Sequence, residues 1–68
     1  MIIKMVIING ENEAQYLTRS KDWTSKKDSA WEYTTDLVFA HAGDHHGKVY
    51  LRLPTGREIE VCEGDFLS

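Results

Sequence analysis

The stretch Val49-Tyr50-Leu51-Arg52-Leu53-Pro54-Thr55-Gly56-Arg57-Glu58-Ile59-Glu60-Val61-Cys62 decides the reading of the fold. Apolar and polar residues alternate on both sides of a Pro-Thr-Gly turn, the period-two pattern of strands with one buried face. Proline pre-sets φ for the first central turn position, and Gly56 can take the left-handed conformation that a type I turn with a G1 bulge requires. A three-residue loop pairs Leu53 with Arg57, Leu51 with Ile59 and Val49 with Val61, so the inner aliphatic residues share a face. On the other face Arg52 meets Glu58, opposite charges directly across the ladder. A slip of one residue would oppose apolar to polar at every step.

Working back along the chain, residues 31–41 carry Trp31, Tyr33, Thr35, Leu37, Phe39 and His41 at odd positions, and Glu32, Thr34 and Asp36 among the even ones. That alternation predicts another strand. Gly43-Asp44-His45-His46-Gly47 would be its glycine-bounded connection, with Ala42 opposite Lys48, Phe39 beside Leu51 and Leu37 beside Leu53. Residues 31–62 then form a three-stranded meander.

Residues 1–8 are apolar at both parities, as expected of a strand covered on both faces or lying centrally in a sheet. Asn9-Gly10 suits a two-residue type I′ turn, which would place Ala14 opposite Met5, Tyr16 opposite Ile3 and Leu17 opposite Ile2. The competing reading is a short helix at 11–19, acidic in its first turn, with Ala14 and Leu17 inward. Residues 20–30 lack periodicity and read as a loop carrying Trp23. The tail turns at Gly64, and Phe66 and Leu67 are expected to fold back on the core.

These elements predict one domain over residues 1–68, mainly β: a small antiparallel barrel or strongly curved sheet of four to five strands. The late hairpin followed by Glu63-Gly64-Asp65-Phe66 resembles SH3-like small barrels in general character. At 68 residues the chain is near the lower limit for a self-sufficient core. Its one cysteine, Cys62, allows no intrachain disulfide and fits a reducing compartment. With neither a secretory signal nor a membrane-spanning run, a cytoplasmic protein without a membrane partner is expected.

Net charge is −3, against non-specific binding to nucleic acid. The charge is uneven: Arg19, Lys21, Lys26 and Lys27 cluster in one stretch, and Glu58, Glu60, Glu63 and Asp65 in another. These are solvated faces, a partner-facing loop, or complementary patches for head-to-tail self-association.

His41, Asp44, His45 and His46 have a spacing that could chelate zinc, although histidines in a polar turn are ordinarily solvated residues. No second ligand cluster accompanies them, and no cofactor is expected. His41, Cys62 and Asp44 are the one conceivable acid–base and nucleophile set, and sheet parity separates His41 from Cys62, so no enzyme is expected. A single-stranded nucleic acid could stack on Tyr16, Trp23, Trp31 and Tyr33 beside the basic 19–27 stretch.

The leading expectation is a non-enzymatic protein-binding domain, an accessory subunit or inhibitor. Phage-encoded blockers of a host or defence enzyme are of this size and charge. Trp23 flanked by Lys26 and Lys27 has a hot-spot composition. Val38, Ala40, Tyr50 and Cys62 would form a modest apolar set on the even face. An unpaired sheet edge would also permit a homodimer.

Overall fold

The computed structural model describes residues 4–64. Five strands form one antiparallel sheet in the order β3-β2-β1-β4-β5: β1 (Lys4–Asn9), β2 (Tyr16–Leu17), β3 (Trp23–Thr24), β4 (Gly47–Arg52) and β5 (Glu58–Glu60). Among the described residues these are joined by a helix, α1 (Leu37–Asp44), and a 3₁₀ turn, Lys27–Ser29. The sheet is not closed into a barrel; β3 and β5 are its edges. No helix among the described residues is long and apolar enough to cross a membrane.

The hairpin forms in the predicted register. Leu51 pairs with Ile59 and Arg52 with Glu58, Leu53 N–H donates to the Arg57 carbonyl at 2.8 Å, and Val61 N–H to the Val49 carbonyl at 3.0 Å. Gly56 sits at φ +89°, where a side chain would be strained, and its N–H closes the turn on the Leu53 carbonyl.

β1 is the central strand, as its unbroken apolar run implies. Met5 and Ile7 point to one face, joining Leu17, Tyr33, Val38, Ala42 and Val49 in the main core under α1. Val6 and Ile8 point to the other, beneath Ala30, with Tyr16 and Tyr50 packed alongside. Both edges of β1 are used too: β4 pairs along its whole length, while β2 meets Ile8 and Tyr33 bridges Met5 on the opposite edge.

That crowding explains why residues 31–41 are not the strand their alternation predicts. β4 has two edges. β5 takes one, and β1, with no charged residue between Met5 and Ile8, buries more apolar surface on the other than residues 31–41 would. Only Tyr33 of the segment pairs as β, through two backbone bonds to Met5 of 2.7 and 2.8 Å. The chain then turns at Thr35 and Asp36 into α1, which covers the face left bare. Val38 and Ala42, four apart, are its buried residues.

The Asn9-Gly10 hairpin is likewise replaced. Tyr16 pairs with Ile8, not Ile3, because the connection is a longer loop built on asparagine side chains. Asn9 Oδ1 accepts from Glu11 N–H and Asn12 Oδ1 from Ala14 N–H, competing with both a tight turn and a helix. Residues 11–19 therefore contain the short β2 and no helix. The 20–30 stretch is more ordered than a plain loop, since it supplies β3 and the 3₁₀ turn. Phe66 and Leu67 lie outside the described residues.

Candidate functional site

The two tryptophans exchange the roles that sequence suggests. Trp23, expected in an open loop, pairs with Leu17 as part of β3 and packs against the main core. Trp31, at an odd, inner-face position of the expected strand 31–41, is 39 % exposed. Its N–H is held by the Leu17 carbonyl at 3.1 Å, fixing its backbone just beyond the end of β2.

Arg19, from the β2–β3 connection, lays its guanidinium over the Trp31 ring, 5.0 Å from the centroid. Among the described residues that guanidinium has no hydrogen-bond or ion-pair partner, so its donors face outward from a pre-stacked position. Arg19 also borders an open depression of about 760 Å³ whose wall is rich in hydroxyls (Thr18, Ser20, Thr24 and Ser29) with Trp23 beside them. Several hydroxyls are already engaged locally: Thr18 with Ser20 at 3.0 Å, and Ser20 with Asp22 at 3.1 Å.

Arg52, Lys4 and Lys27, by contrast, are employed in holding the fold. Arg52 donates to Glu58 through Nε and Nη2, to Glu32 through Nη1 at 3.1 Å, and to the Lys27 carbonyl. Lys4 lies 3.8 Å from the Glu32 carboxylate, and Lys27 Nζ donates to the Gly56 carbonyl at 3.0 Å, tying the 3₁₀ turn to the hairpin turn. The cleft of about 510 Å³ at this end is walled by the mutually paired Lys4, Glu32 and Arg52, with Lys27 and Asp28 beside them.

Of the residues singled out by sequence, Val38 is fully buried in the core and Tyr50 packs beside Val6 and Ile8. Burial raises the Tyr50 phenol above its ordinary value, with the Glu60 and Glu13 charges adding to the shift. Lys26 is exposed. The apolar even face of residues 38–40 dissolves along with the strand that would have carried it.

The histidines are dispersed by α1. His41 sits on the helix with its Nδ1 2.9 Å from the Tyr33 hydroxyl, and the two rings meet edge to face at 5.4 Å. Lys21 Nζ lies 3.5 Å from that hydroxyl. His45 closes the helix, its N–H on the His41 carbonyl, and His46 adopts φ 57° with its carbonyl accepting from Gly10 N–H. No three His, Cys, Asp or Glu side chains converge as metal ligands among the described residues, so His41, His45, His46 and Asp44 do not form a joint site.

The Arg19–Trp31 pair is the feature that sequence reasoning missed. Both residues were visible as charge and aromatic content, but their stacking depends on Trp31 leaving the core. Comparison with protein-family models, curated proteins and solved structures finds no match to this chain.

Proposed function

We propose that this chain is a non-catalytic protein-binding domain, an accessory or inhibitory subunit, that grips an acidic segment of its partner through Arg19 and Trp31. The carrying observation is the unpaired guanidinium stacked on a part-exposed tryptophan. Tryptophan and arginine dominate binding hot spots because they bury large areas at low entropic cost and satisfy bidentate acceptors. Lys21 adds positive charge on the same connection and Lys26 just beyond β3, where Asp22 is the nearest counter-charge in sequence.

The test is affinity capture from the source lysate with the parent chain, Arg19→Glu and Trp31→Ala side by side. A specific band lost in both variants, with the variants still folded, supports the reading. Identical capture by all three sinks it.

A second reading rests on the same pair: Trp31 offers a stacking platform and Arg19 a phosphate contact for single-stranded nucleic acid. It predicts affinity that falls steeply with salt and with Lys26→Glu plus Lys27→Glu. Fluorescence anisotropy with labelled single-stranded DNA and RNA decides it.

A further inference from the structure

The opposite edge of the sheet carries an independent site. In the β4–β5 ladder, Arg57 and Val61 exchange bonds with β4, through the Leu53 N–H to the Arg57 carbonyl and the Val61 N–H to the Val49 carbonyl. Backbone direction alternates along a strand, so the N–H and C=O groups of Glu58 and Glu60 point away from the sheet. They have no hydrogen-bond partner among the described residues. Between them Ile59 is 43 % exposed on the α1 side.

A second copy of this chain is a poor occupant. Each antiparallel register centred on these outward groups sets at least one glutamate against another: Glu58 with Glu60, Glu58 with Glu58, or Glu60 with Glu60. Like charges directly opposite are unfavourable. The Glu58 carboxylate is 13 % exposed and already held by Tyr16 and Arg52, whereas Glu60 is exposed and has no salt bridge among the described residues. Charge therefore selects the partner.

We infer that the β5 edge accepts an extended segment of a partner protein with a basic residue facing Glu60 and a branched apolar residue facing Ile59. Four backbone hydrogen bonds would give the affinity, and the alternating side chains the selectivity. The site lies across the sheet from Arg19 and Trp31, so it goes beyond the reading above and stands or falls separately.

The experiment titrates the intact ¹⁵N-labelled chain with three short peptides: an alternating lysine–valine peptide, the same peptide N-methylated on the backbone amides of one edge, and a glutamate–valine peptide. The expected result is slowed hydrogen exchange at the Glu58 and Glu60 amides with the first peptide. Binding should weaken at least tenfold with each of the other two. Glu60→Lys should reverse the preference in favour of the glutamate–valine peptide. Equal binding of the N-methylated peptide would reduce the effect to diffuse charge attraction and overturn strand addition. Slow exchange at either amide in the free protein would show the edge already covered, and would overturn it as well.

Discussion

The phenol of Tyr16 on β2 donates a 2.8 Å hydrogen bond to the Glu58 carboxylate on β5, reaching over two intervening strands. In a flat sheet those strands would be about 14 Å apart, three spacings of about 4.8 Å. The side chains meet because the sheet curls toward this face. Arg52 clamps the same carboxylate and sits 5.8 Å over the Tyr16 ring, so one charge ties three strands together.

Tyr16→Phe should therefore cost about 1.5 kcal/mol, the value of a hydrogen bond to a charged group. It should act without changing the urea m-value, since the Arg52–Glu58 pair remains. Equilibrium unfolding measures both.

Burial first, and the Glu58 bond second, push the Tyr16 phenol up to about 12 from its ordinary value of 10.0. The folded state thus holds this proton more tightly than the unfolded chain. The stabilisation is complete below pH 10 and disappears as pH rises through 12. Thermal melts across that window should show Tm falling in the parent chain and falling less in Tyr16→Phe.

The tryptophans should separate spectroscopically. Trp31→Phe leaves the core-packed Trp23 and should shift emission to the blue. Trp23→Phe leaves the exposed Trp31 beside Arg19, whose emission should be quenched more by iodide than by caesium. Equal quenching by the two ions would place Trp31 away from the guanidinium.

Two glycines predict opposite signs. Gly43 lies in α1 with open space where a Cβ would stand, so Gly43→Ala should stabilise by up to about 1 kcal/mol. At Gly47 a Cβ would collide with the Ile7 side chain and come within 3.1 Å of the Ile8 carbonyl oxygen. Gly47→Ala should cost about 1–3 kcal/mol. Urea midpoints of the two variants test the contrast.

Leu17 on β2 is fully buried in the main core. Leu17→Ala should lose about 3 kcal/mol, a large share of the stability of so small a domain, roughly 0.05–0.15 kcal/mol per residue. Loss of the cooperative near-ultraviolet transition at room temperature would be consistent with that share.

The hairpin was legible because three local signals agree: alternation, a proline–glycine turn and a cross-strand charge pair. The central place of β1 was legible from its apolar residues at both parities. Residues 31–41 misled because the alternation through Glu32, Thr34 and Asp36 satisfies a strand pattern, while α1 is a short helix with only Val38 and Ala42 buried. Its stability comes from the sheet it covers and not from its own sequence. Trp31 and Trp23 were misplaced for the same reason: which tryptophan lies inside depends on long-range pairing to Leu17, which neither residue's neighbours encode. The candidate site inherits that dependence, so its charge was readable and its geometry was not.

β1 is shielded on four sides, by β4, by β2 with Tyr33, by α1 and by Ala30, and every one of those shields is synthesised after it. On the ribosome, Met5-Val6-Ile7-Ile8 emerges before any of these shields, and its β4 edge stays unpaired until residue 52 has cleared the exit tunnel. During that interval the segment carries an exposed, unpaired edge, open to chaperones and to other nascent chains alike. The strand that centres the finished sheet is thus the point at which slow translation would favour aggregation.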